Sequence, residues 1–131
     1  MENNEFLQNI WYYALPSCKL KQGQIVPRTI ADQPIALART EEGAAYALRD
    51  ICPHRGIPLS DGYMTGSEVT CCYHGWQFCQ SGTCTKIPSL VDGQDFDVSK
   101  IKVRSYPVIE RAGNIWVWLG DQPANEALLP R

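Results

Sequence analysis

The chain has 131 residues, six cysteines, two histidines and a formal net charge of −2. That length suits one domain, residues 1–131, around one core, and an apolar share of 44% excludes a disordered polymer. There is no basic stripe for nucleic acid, no run of roughly 18 apolar residues to cross a membrane, and no signal-like character in Met1-Glu-Asn-Asn-Glu-Phe6, so a cytoplasmic protein binding neither nucleic acid nor membrane is expected.

In chain order, the first marked feature is the aromatic run Trp11-Tyr12-Tyr13, which reads as core or interface packing. Residues 25–30 form a first strand, with Pro27 requiring an edge position. Ala31-Asp32-Gln33-Pro34 turns into a second strand over 35–39, and Glu41-Glu42-Gly43 turns into a third over 45–49. Glu68-Val69-Thr70 is a short strand. Strands over 77–80 and 83–87 flank the two-residue turn Ser81-Gly82. Further strands cover 100–104 and 108–111. Ala112-Gly113-Asn114 then turns into 115–119, which places Trp116 and Trp118 on one face. Helical periodicity is nearly absent. The expectation is an all-β domain of small antiparallel sheets.

Both histidines fall in one pattern, C-x-H-x16-C-x-x-H: Cys52-Pro53-His54, then Cys71-Cys72-Tyr73-His74. Each half offers one thiolate and one imidazole. That is the donor set of a Rieske-type 2Fe-2S cluster, in which two cysteines hold one iron and two histidines hold the other. Gly56, Pro58 and Gly62 follow the first pair and Gly75 the second. Glycine lets backbone N–H groups approach closely, and proline limits loop freedom. Ile87-Pro88-Ser89 is positioned to form a third, covering loop. A two-Cys, two-His set also suits structural zinc. However, zinc fingers pair C-x-x-C with H-x3–5-H, whereas each half here mixes one cysteine with one histidine.

The stretch Cys52-Pro-His-Arg-Gly56, with Cys71-Cys-Tyr-His-Gly-Trp76, resembles the Rieske domain of ring-hydroxylating oxygenase alpha subunits. The opening Trp11-Tyr-Tyr-Ala-Leu-Pro16 and the closing Asn114-Ile-Trp-Val-Trp-Leu-Gly-Asp121 are similar to the same subunits, so the resemblance covers nearly the whole chain. It implies a Rieske-type fold whose two ligand loops form a cluster-binding subdomain over about 49–90. It implies that Cys52 and Cys71 bind the inner iron, and His54 and His74 the outer one. It also implies a reductase or ferredoxin as electron donor, and as acceptor the mononuclear iron of a catalytic oxygenase domain in a neighbouring subunit.

Membrane-anchored, high-potential respiratory Rieske proteins carry an extra cysteine in each ligand loop, joined as a disulfide. Ile57 and Tyr73 stand at those places here. Those proteins also place a serine two residues, and a tyrosine four residues, after the second histidine; here Trp76 and Phe78 offer no hydroxyl. Fewer donors toward the cluster leave its reduced form less stabilised, so the resemblance implies a low potential.

An oxygenase needs a second iron held by two histidines and a carboxylate. With both histidines taken by the cluster motif, these residues hold no such site, so the chain is expected to deliver electrons rather than activate dioxygen itself. The oxygenase's N-terminal domain is the favoured reading, and a free-standing Rieske ferredoxin the alternative. Of the remaining cysteines, Cys72 has the wrong spacing to His74 for the motif and reads as a packed or half-exposed thiol. Cys18 reads as buried filler. Cys79 and Cys84 are expected to face each other across the Ser81-Gly82 turn. Arg55, beside a ligand histidine, reads as an exposed charge at the docking end.

Overall fold

The computed structural model describes residues 8–53, 56–72, 75–87 and 100–129. Eleven strands in these residues make three small antiparallel sheets. In the first, β1 (Ile10–Pro16) lies beside β11 (Asn114–Leu119), which hairpins with β10 (Val108–Arg111). The turn between β10 and β11 is Ala112-Gly113, with φ values of 54° and 80°. This is the left-handed pair that a two-residue hairpin needs. Strand β1 went unread in the sequence. Its register shifts between Tyr13 and Leu15, so Ala14 and Leu15 are both buried and the period of two is lost.

The second sheet has the order β2 (Ile25–Ile30), β3 (Gln33–Arg39), β4 (Ala45–Arg49) and β9 (Ser105–Tyr106). Pro27 sits on the edge strand, as its missing N–H demands. The β2–β3 turn is tighter than the sequence suggested. It consists of Ala31 and Asp32 alone, both left-handed, so that Gln33 and Pro34 already belong to β3.

The third sheet has the order β5 (Tyr63–Thr65), β6 (Glu68–Thr70), β7 (Gln77–Phe78) and β8 (Cys84–Lys86); the loop with Cys52 enters it from β4, and the loop with Cys71 joins β6 to β7. Between β7 and β8 the pair Cys79 and Thr83 encloses a turn of three residues, Gln80, Ser81 and Gly82, rather than two. Cys79 N–H donates to Thr83 O at 3.0 Å, and Gly82 adopts φ +87°. The extra residue sets Phe78, not Cys79, opposite Cys84, and a register shift follows between Gln77 and Phe78. The expected facing of Cys79 and Cys84 is thereby overturned.

Residues 100–104 are not the continuous strand their alternation suggests. They form a tether whose bonds are split between two sheets. Cys84 N–H donates to Ile101 O, Val103 N–H to Gly82 O and Arg49 N–H to Arg104 O, each at 2.8 Å. The tether thus joins the β7–β8 hairpin to the end of β4.

Strands β3 and β4 are buried on both faces. Ile35, Leu37 and Ala47 pack with Leu15, Ile115, Val117 and Leu119 against the first sheet. Ala36, Ala38, Tyr46 and Leu48 face the other way, against Cys52, Leu59, Val69, Cys71 and Phe78. A third, smaller group joins Trp11, Trp118 and Leu129. Trp11 meets Trp118, and Tyr13 meets Trp116, edge to face at 5.3 and 5.6 Å across the β1–β11 pair. The packing role expected of these aromatics agrees with this arrangement. Among the described residues no helix is long and apolar enough to cross a membrane.

Candidate metal centre

The two cysteines of the motif leave the ends of two different strands and reach equivalent surroundings. Beyond β4 the chain runs through Asp50 and Ile51 to Cys52, which is 1% exposed. Beyond β6 it reaches Cys71, also 1% exposed. Cys52 N–H donates to Ile57 O, and Cys71 N–H donates to Trp76 O, both at 2.7 Å. Each bond spans five residues. Each loop also carries a left-handed glycine four residues after its cysteine, Gly56 at φ +72° and Gly75 at φ +71°. A side chain with a Cβ would resist that conformation, so glycine is what allows so tight a reversal.

Both sulfurs belong to one buried group with Leu59, Val69, Phe78 and Cys84, and neither is in a disulfide. A matched pair of buried, unoxidised cysteines in two like-shaped loops fits two thiolates on one iron. His54 and His74, with Arg55 and Tyr73, lie outside the described residues, as do Pro88 and Ser89 of the expected covering loop. Ile87 of that loop is described and buried in the same group.

The other cysteines agree with the sequence expectations only in part. Cys18 is exposed in the 3-10 turn Ser17–Lys19, not buried. Cys72 is exposed rather than packed. Cys84 is buried in the same group as the motif sulfurs, but its thiol donates to Lys86 O at 3.7 Å, and burial pushes its pKa up. It therefore behaves as a small apolar residue. Cys79 is half-buried with its Sγ 3.1 Å from Ser81 Oγ. Burial there acts to raise the thiol pKa, but bonds from Ser81 and Thr83 outweigh it and lower the value.

Two polar groups near the sulfurs escaped the sequence reading. Tyr46 lies in the same buried group and donates its hydroxyl to Ser67 O at 2.9 Å. Burial, with the charges of Cys79 and Glu68, pushes its pKa far up, so it stays a neutral donor. Asp50 is a buried carboxylate bonded to Ser60. Nothing in sequence spacing announces a partner ten residues away.

The Rieske [2Fe-2S] domain family matches residues 10–107. The chain belongs to this family. A Rieske domain carries a Rieske-type 2Fe-2S cluster and serves electron transfer, and the donor chemistry of the two loops fits that cofactor. The chain is 42% identical, over 116 residues and 88% of its length, to the oxygenase component of dicamba O-demethylase from Stenotrophomonas maltophilia, covering 33% of that protein. It is 40% identical over 128 residues to chlorophyllide a oxygenase of Chlamydomonas reinhardtii, covering 98% of this chain and 19% of that one. The chain thus spans a third or less of the length of these two relatives.

Among solved structures, dicamba monooxygenase bound to dicamba superposes with a TM-score of 0.86 at 40% identity, over 96% of this chain and 37% of the other. The terminal oxygenase of carbazole 1,9a-dioxygenase from a Novosphingobium species gives 0.81 at 27% identity, over 90% and 32%. The Rieske fold expected from the motif is the fold observed.

Proposed function

We propose that Cys52 and Cys71 hold one iron of the cluster and His54 and His74 the other, within a cluster-binding subdomain spanning about 49–90 of a single Rieske domain. In this reading the domain works in the cytoplasm, takes single electrons from a reductase or ferredoxin and feeds the mononuclear iron of an oxygenase or O-demethylase. The observation that carries the ligand assignment is the repeated cradle, in which each buried cysteine donates its N–H five residues on across a left-handed glycine. The partners are supported by the relatives. Two are oxygenase components, and one solved relative, at 28% identity and a TM-score of 0.78, is a carbazole 1,9a-dioxygenase oxygenase in complex with its ferredoxin.

The bound cluster would supply a one-electron carrier. The protein's own part is to bury the two thiolates, so that water does not reach the sulfurs from the core side. His54 and His74, ligating through one ring nitrogen each, would keep a proton on the other and make it available for exchange.

Hydroxyl donors that would raise the potential are missing from the matching positions. Phe78 is wholly buried and apolar, and the hydroxyl of Tyr46 is committed to a backbone carbonyl. The test is spectroscopic. The anaerobically purified protein should be brown, with equimolar iron and acid-labile sulfide and a Rieske-type EPR signal on reduction. Cys52→Ser and Cys71→Ser should abolish all three. A colourless protein holding zinc would overturn the proposal.

A further inference from the structure

Asp50 is 6% exposed, and both carboxylate oxygens go to one residue. Oδ1 accepts the Ser60 N–H at 2.7 Å, and Oδ2 accepts the Ser60 hydroxyl at 2.6 Å. The Asp50 N–H donates to Pro34 O at 2.9 Å, which anchors this end to the start of β3. The first ligand loop is therefore clamped at its base, by Asp50 before Cys52 and by Ser60 after it. Short bonds to a buried carboxylate are strong, and breaking one side strands the other.

The clamp continues toward the second loop. Ser60 lies in the 3-10 turn Leu59–Asp61, and Gly62 follows it. Gly62 abuts the backbone on either side of Cys71: a Cβ placed on it would fall 1.9 Å from Thr70 O and 3.1 Å from Cys72 N. Asp50, Ser60 and Gly62 thus form a short line of contacts from the residue two before one sulfur to the residues flanking the other.

We propose that Asp50 is a positioning residue that sets the spacing of the two ligand loops through Ser60, and so governs how firmly the cluster is retained. This rests on ligation by Cys52 and Cys71 as proposed above.

The test uses the cluster-loaded protein, with cluster loss to a ferrous chelator followed by visible absorbance, circular dichroism as the check on folding, and rescue by the conservative Asn variant as a second readout. Asp50→Ala should release the cluster about tenfold faster or more. Ser60→Ala, which keeps the Ser60 N–H bond, should fall between it and the parent. Asp50→Asn retains both contacts, with its amide accepting from the N–H and donating to the hydroxyl. It should restore near-parental retention.

A folded Asn variant that loses its cluster as fast as Asp50→Ala, although both contacts to Ser60 are kept, overturns the proposal. Parental release rates in both Asp50→Ala and Ser60→Ala overturn it as well. If Asp50→Ala does not fold, Ser60→Ala decides alone. A brown parent whose variants hold the cluster as firmly as it does sinks the clamp only. A colourless parent sinks the ligand assignment and the clamp together.

Discussion

Gly62 offers a sharp test of how the ligand loops are packed. Its φ is −90°, which an L residue adopts, so conformation alone does not call for glycine there. Were the space open, Gly62→Ala would stabilise the fold by about 0.4–1 kcal/mol, by restricting the unfolded chain. The space is not open. The added Cβ would lie 1.9 Å from Thr70 O and 3.0 Å from Thr70 C. Reaching an acceptable separation requires the two backbones to part by about 1 Å, and neither is a side chain that can swing away. Overpacking of this kind costs about 1–3 kcal/mol. For a chain of this size that is roughly 4–12 °C in Tm. The movement falls on Thr70 to Cys72, so cluster occupancy should drop with stability.

Gly66→Ala is the control. Its φ is +63° and nothing lies within 4 Å, so it should cost about 1 kcal/mol and leave occupancy intact. Thermal unfolding and the iron-to-protein ratio measure both effects. A Gly62→Ala protein that melts at or above the parent with a full cluster would refute the reasoning.

Other outcomes follow from the same geometry. The midpoint potential should lie in the lower part of the Rieske range of about −150 to +300 mV, and a voltammetric value above about +100 mV would contradict the reading of Trp76 and Phe78. Replacing Ala31-Asp32 by Asn-Gly puts tolerant residues at both left-handed positions of the β2–β3 turn, at φ 51° and 65°. It should raise stability by about 1 kcal/mol in denaturant titrations, with the m value unchanged.

Glu110 accepts bonds of 2.6 and 3.1 Å from Arg39, and these hold its pKa below the usual 4.5. A depressed folded pKa gives stability that is fully present above the ordinary value of 4.5 and is lost as pH falls from there through the folded value. The side chain is 35% exposed, so solvent screening keeps the gain under about 1 kcal/mol. Glu110→Gln should remove this part of the acid sensitivity, and an unchanged Tm difference between pH 7 and pH 4 would count against it.

Which parts of the fold were readable depends on whether local pattern and long-range partner agree. Strands β2, β3 and β4 are joined by short turns, so neighbours in sequence are also neighbours in the sheet, and their bounds were nearly correct from apolar runs and turn residues. Strand β1 pairs with residues about a hundred positions later and carries a bulge, so neither proximity nor periodicity revealed it. The tether at 100–104 misled for the opposite reason. Buried Val103 and half-buried Ile101 alternate with exposed neighbours, like a strand, while the hydrogen bonds go to two different elements. At the site, the motif cysteines Cys52 and Cys71 could be singled out because motif spacing is a local property, and the fold brings both into one buried group. Cys18 and Cys72 were not, because a cysteine's composition-level habit of burial says nothing about its own loop. The Asp50 clamp depends on a contact that only the folded loop creates.

The division of labour within β3 and β4 explains why the cluster loops need the rest of the domain. On the face toward the first sheet these strands carry the bulky Ile35 and Leu37, which fill that core. On the opposite face β3 carries only Ala36 and Ala38. Small side chains there leave room for Leu59, Phe78 and the two motif cysteines to settle against the sheet. A sheet of strands only two or three residues long has little apolar face of its own, so it depends on packing against other elements. Its order must be borrowed, through packing on the alanine face, through the hairpin's bonds to the tether, and through the tether's bond to Arg49 at the end of β4. That same strand end delivers Asp50 and Cys52. Rigidity imported at one point thus serves the strand, the clamp and the first sulfur together.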